Sequence, residues 1–225
     1  MLGFKRMRFP KEIILVCIRW YAAYSLSYRN LEEMMEERGV FVDHSSVSRW
    51  AIRFLPLLEK IFRKHKRPVG LSWRMDETYI KVNGHWKYLY RAVDKEGDTI
   101  DFLLRAKRDK AAAMAFFKKA MRANGDPEKV TMDKSGANKA AMDEINKGRE
   151  LPIEIRQNKY LNNIIEQGHR GVKPIKKPMM GFKSVPAARK VLAGIELMHI
   201  SRKGQMIVTE RENPSSANQF YSLAA

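Results

Sequence analysis

The chain has 225 residues, enough for one sizeable core and a smaller appendage. Its 43 basic side chains outnumber 25 acidic ones, and the resulting charge of +18 is spread along the sequence, which points to a polyanionic partner, nucleic acid first. A lone cysteine, Cys17, excludes an internal disulfide framework, and Arg19 cuts the apolar run 13–18 well short of a signal-peptide core or the ~20 residues of a membrane span, so a cytoplasmic protein is expected.

Residues 11–24 read as a helix that starts behind Pro10. A second helix is predicted in SYRNLEEMMEERG, with Ser27 as N-cap and Gly39 as its stop. The third follows Asp43 through HSSVSRWAIRFL, where Val47, Trp50, Ala51 and Phe54 recur at i, i+3, i+4 and i+7. Three helices with a glycine-marked turn before the last suggest a helix-turn-helix. Burying the Val47/Trp50/Phe54 stripe would leave His44, Ser45, Ser46, Ser48, Arg49 and Arg53 outward, small polar and basic side chains suited to a DNA groove. A plain three-helix bundle with a solvated face fits the same pattern, and His44 alone reads as a surface or capping residue. The balance of 14 basic to 7 acidic residues over positions 1–70 favours DNA.

The basic stretch RKHKRPVG, 63–70, closes the helical part, and the composition turns β-rich behind Pro68 and Gly70. The expected division is a helix-turn-helix domain at 1–66, an α/β domain at 67–205 and a C-terminal tail at 206–225. Within the second part, WRMDETYIKV and HWKYLYRAV flank Asn83-Gly84, the sequence of a tight hairpin. A third strand, TIDFLLRA, follows. Then come a helix near 109–123, a short strand ending at Asp133, a helix from about Gly136 to Lys147, a strand at 153–157 and helices near 162–172 and 185–201. Three antiparallel strands and then strands alternating with helices fix a mixed α/β class, preceded by a small all-α domain; the order is that of the ribonuclease-H-like fold, in which the last two strands are expected to run parallel. The alternating aromatics Trp73, Tyr79, Trp86, Tyr88 and Tyr90 read as sheet packing, and the tail NPSSANQFYSLAA as poorly ordered in isolation.

Phosphodiester chemistry by the two-ion route needs clustered carboxylates, because Mg²⁺ is a hard ion that prefers oxygen. Asp76 lies within the first strand, Asp133 at the end of the fourth and Glu166 on a later helix. Each also has an ordinary explanation: a strand carboxylate, a cap for the following helix, and a helical partner of Arg170.

The blocks WRMDETYIKVNGHWKYLYRAVDKEGDTIDFLLRAKRDK, MDKSGAN, RQNKYLNNIIEQGHRGVK and GFKSVPAARKVLAGIELMHISRKGQ, with YRNLEEMMEERGVFVDHSSVSRW before them, resemble the DDE transposases of the insertion-sequence-six family. The resemblance spans nearly the whole chain and implies an Asp76, Asp133, Glu166 triad, with 32 residues between the last two, holding two Mg²⁺ ions or Mn²⁺ in their place. It further implies double-stranded DNA as partner, both terminal inverted repeats and target, a homodimer or larger assembly on paired ends, and cointegrate products in a bacterial, nucleoid-associated setting. Lys173 matches a basic residue that the wider DDE class uses on transposon-end DNA, and Arg170 shares its helical face. Gly168 stands where the family commonly has an aspartate. An inactive DNA-binding remnant and another ribonuclease-H-like nuclease are the alternative readings.

Overall fold

The computed structural model describes residues 3–158, 165, 182–207 and 214–224. The chain forms two compact units, one of Met1–Arg67 with Gly171–Ala225 and one of Pro68–Arg170.

In the first unit, α1 (Lys11–Ala23) buries Ile14, Leu15, Ile18 and Tyr21 along one stripe. Helix α2 (Tyr28–Glu36) opens on a capping box: the Asn30 amide donates to Ser27 Oγ, and the Ser27 amide donates to Asn30 Oδ1. Gly39, at φ +71°, takes the left-handed turn behind it. Helix α3 (His44–Lys64) starts on Asp43, whose carboxylate accepts from the amides of Ser45 and Ser46. The Ser45 and Ser46 hydroxyls, which also donate to it, and then these amides hold the Asp43 carboxyl well below the usual carboxylate range.

Helix α3 continues well past Leu55, where the sequence pattern suggested an end, and carries Pro56 inside it. Leu55, Leu58 and Phe62 are almost completely buried, so apolar packing offsets the backbone hydrogen bond that the proline removes. Helix α6 (Val185–Arg202) supplies the packing partner, entering with Pro186 in its first turn behind the Ser184 cap. Its Gly194 lies so close to Leu55 that a β-carbon there would sit 2.6 Å from Leu55 Cδ1. The segment expected to be poorly ordered forms α7 (Ser216–Ser222), with Phe220 and Leu223 buried; two apolar side chains anchor an otherwise polar end.

The second unit is built on a five-stranded sheet in the order β3-β2-β1-β4-β5. Strands β1 (Ser72–Val82), β2 (His85–Val93) and β3 (Thr99–Arg105) form an antiparallel meander. The β1–β2 turn is Asn83-Gly84, at φ +47° and +76°, the left-handed pair that a two-residue hairpin requires. Strands β4 (Lys129–Met132) and β5 (Glu154–Gln157) run parallel to β1. This is the ribonuclease-H-like order. Helices α4 (Lys110–Asn124) and α5 (Gly136–Asn146) cover one sheet face, burying Trp73, Met75, Tyr90, Val130 and Met132 against Phe116, Phe117, Ala141 and Met142. Of the alternating aromatics, Trp73 and Tyr90 are core, whereas Tyr79 and Trp86 are 51% and 59% exposed. Those two lie toward the tip of the hairpin, which β1 extends beyond its pairing with the shorter β4.

Candidate active site

Strand β1 pairs with β4 through Ser72–Lys129, Trp73–Val130 and Arg74–Thr131. Asp76 and Asp133 each follow the last of these pairs by two residues. Asp133 follows the last residue of β4, where the chain leaves the sheet to start α5, and Asp76 sits where β1 loses its neighbour on that side. Both carboxylates therefore stand at the rim of the sheet at the carboxyl end of β4, where side chains leave the packed layer.

Glu77 joins them. One carboxylate oxygen from each of Asp76, Glu77 and Asp133 lies within 4.8 Å of the other two. Successive strand residues point to opposite faces, so Glu77 turns toward the helix-covered side that also receives Met75. Its side chain is only 3% exposed. Asn138, fully buried on α5, donates from Nδ2 to Glu77 Oε1 at 2.9 Å. Arg108, in the loop before α4, donates from Nε to Oε1 and from Nη2 to Oε2, both at 3.3 Å. Burial pushes the Glu77 carboxyl above its ordinary value, against the opposing pull of Asn138 and Arg108.

The same Arg108 Nη2 donates to Asp133 Oδ2 at 2.9 Å, so one guanidinium spans two acids of the cluster. Burial opposes its charge, yet Glu77 and Asp133 together more than offset this and raise its pKa. Asp133 Oδ1 accepts from the Ser135 amide at 3.2 Å, at the entry to α5. Asp133 thus both steadies the start of the following helix and belongs to the acid cluster.

Glu166, Arg170 and Lys173 lie outside the described residues, as does Gly168. In the helical unit, His44 Nδ1 is 3.0 Å from Glu32 Oε2, and the Ser45 and Ser46 hydroxyls both donate to Asp43. Ser48 is half-buried and hydrogen-bonds Tyr28, so its hydroxyl is committed to the packing between α2 and α3. Arg49 is exposed, with Nη2 donating to Ser46 Oγ at 2.9 Å, and Arg53 is exposed with its guanidinium over the Phe54 ring. Sequence reasoning missed Glu77, Arg108 and Asn138 as parts of the site. The available signal was a second acid directly after Asp76 in a half-buried strand.

Three carboxylates converging at one sheet rim form the hard oxygen donor set that a divalent cation takes, and the guanidinium already drawn there shows that the pocket attracts positive charge. A ribonuclease-H-like sheet with this cluster on β1 and just past the end of the adjoining β4 defines an enzyme of the class that breaks and joins nucleic-acid phosphodiesters with divalent ions. The chain belongs to the DDE transposases of the insertion-sequence-six family. It matches the DDE domain of that type (DDE_Tnp_IS240) over residues 70–205. It is 42% identical over 197 residues to the transposase for the insertion sequence-like element IS431mec of Staphylococcus aureus strain Mu50, covering 87% of each chain. The transposase for insertion sequence element IS257 in transposon Tn4003 of the same species is 41% identical, again over 87% of each. Among solved structures, the HTLV-2 integrase catalytic core domain in complex with magnesium matches at 14% identity and a TM-score of 0.45, over 59% of this chain and 88% of that one.

Proposed function

We propose that this protein binds the terminal inverted repeats of its own insertion sequence, cuts there to expose 3′-OH ends and joins those ends to target DNA. The observation that carries this is the convergence of Asp76, within β1, and Asp133, just past the end of the parallel neighbour β4, in a chain of this family. Glu166, matched to the family motif, completes the triad. Two Mg²⁺ ions, or Mn²⁺, held by these three carboxylates would supply activation of the attacking oxygen and stabilisation of the leaving one.

In the first step a water oxygen attacks the phosphorus at the element's end; the bond from phosphorus to the 3′ oxygen breaks, leaving a 3′-OH on the element and a 5′-phosphate on the flank. In the second, that 3′ oxygen attacks a target phosphodiester, and the target's own 3′ oxygen leaves. No covalent bond to the protein forms. Asp76 and Asp133 would offer their carboxylate oxygens as ligands, while Glu77 and Arg108 hold the Asp133 side of the pocket in place.

Residues 1–66 take the role of end recognition and 67–205 that of chemistry, supported by the outward Arg49 and Arg53 and by the extent of the DDE-domain match. Arg170 and Lys173 would contact the transposon end beside Glu166, and two or more copies would bring paired ends together, with cointegrates as product. The test is strand transfer from a pre-cut terminal-repeat duplex into a plasmid, comparing the natural chain with Asp133→Asn. Equal product from both defeats the metal-ligand assignment. Salt-sensitive binding of the repeats by a natural chain that yields no product with Mg²⁺ or Mn²⁺ would mark a DNA-binding remnant instead.

A further inference from the structure

We infer that Arg108 is a positioning residue that acts as a resident cation: it bridges Glu77 and Asp133 and offsets part of their charge until a divalent ion takes over Asp133. The inference rests on the reading that Asp76 and Asp133 hold the ions, and it concerns how the pocket is kept ready for them.

The two ends of the Arg108 bridge are unequal. At one end Glu77 is 3% exposed and tied to the fully buried Asn138, so neither its position nor its solvation can change without disturbing α5. At the other end Asp133 is 32% exposed and meets a single guanidinium nitrogen. Arg108 meets Glu77 through two nitrogens and Asp133 through one, so the fork belongs to Glu77 and reaches across to Asp133. Its backbone is pinned by the next residue: Asp109 caps α4, accepting from the Ala112 amide at 2.8 Å. A side chain fixed at its root and at Glu77 can release Asp133 by a small rotation.

Charge supplies the reason for such a device. Three carboxylates within 4.8 Å repel one another, so a cation beside them is needed to keep Asp133 turned inward. Arg108 provides one positive charge. An arriving divalent ion brings two and outcompetes it at the more solvated end, while Glu77 retains the guanidinium. The ion must therefore displace a contact in order to bind, and removing Arg108 should tighten ion binding while weakening the ion-free protein.

The experiment measures Mn²⁺ affinity by calorimetry on the full chain without DNA, for the natural protein, Arg108→Gln, Arg108→Lys and Asp133→Asn. Arg108→Gln should bind Mn²⁺ about tenfold more tightly, the order expected for removing one unit charge a few ångström away in a partly solvated site. Its thermal midpoint without ions should fall, and Mn²⁺ should raise it more than in the natural chain. Arg108→Lys keeps the charge and should stay near the natural affinity. Unchanged or weaker binding in Arg108→Gln overturns the proposal, as does Arg108→Lys binding as tightly as Arg108→Gln. If the natural chain and Asp133→Asn bind Mn²⁺ equally, the metal-site reading fails, and this inference with it.

Discussion

Asp76 on β1 and Asp133 behind β4 each lie two residues beyond Arg74–Thr131, the last parallel pair of these strands, and their carboxylate oxygens come within 4.8 Å of each other. Acids far apart in sequence are thus brought to one rim by the pairing of the strands before them. Either one replaced by its amide should keep the fold, since both lie at the solvent margin rather than in the helix-covered core. Asp76→Asn and Asp133→Asn should each reduce strand transfer by more than the roughly 10–100-fold that loss of a supporting residue costs. Circular dichroism and terminal-repeat binding should stay unchanged. Near-natural product from either variant would remove that residue from the catalytic set.

Glu77 is expected to matter through Arg108. Glu77→Gln keeps an acceptor for Asn138 Nδ2 but removes the charge that anchors the guanidinium. Single-turnover strand transfer at limiting Mg²⁺ should fall by about 10–100-fold, with end binding retained, because a guanidinium freed from Glu77 stays on Asp133 and competes with the ion. An unaffected rate would mean that Arg108 is held well enough by other contacts.

Gly194 tests the packing between α3 and α6. A methyl group there would meet Leu55 at 2.6 Å, and overpacking of this kind costs about 1–3 kcal/mol. The ~1 kcal/mol that alanine gains over glycine in a helix does not cover the upper part of that range. Gly194→Ala should therefore lower the denaturation midpoint, and adding Leu55→Ala should restore part of the loss. Two penalties that simply add would show that Leu55 was never the obstacle.

Cys17 offers a pH-dependent probe of the helical unit. It is completely buried on α1, and burial pushes its thiol from 9.0 up to about 11. A raised pKa means that the folded state favours the protonated form. This contribution to stability is therefore fully present below pH 9.0 and is lost as the pH rises through about 11. Iodoacetamide at pH 8 should label the folded chain slowly and the urea-unfolded chain rapidly. Fast labelling of the folded protein at that pH would contradict the burial of α1.

Much of this molecule is legible in its sequence. Periodicity of apolar residues marks α1 and the first half of α3, Asp43 and Ser27 mark helix starts, and Asn83-Gly84 marks the hairpin, because each signal is local and acts through nearby backbone groups. The family motifs name Asp76 and Asp133 because both belong to short blocks that survive as text. The sequence could not say that α3 runs on through Pro56, since that depends on what Leu58 and Phe62 pack against. Nor could it place α6, more than a hundred residues away, in one compact unit with α1 and α3. The trio of Glu77, Arg108 and Asn138 was equally hidden. Each is an ordinary polar residue in its own segment, and only the pleat of β1, the loop before α4 and the inward face of α5 make them neighbours. Local chemistry thus determined which elements form and which acids to watch. The tertiary structure decided which charges meet, because burial and Coulomb interaction depend on distance through space and not on separation along the chain.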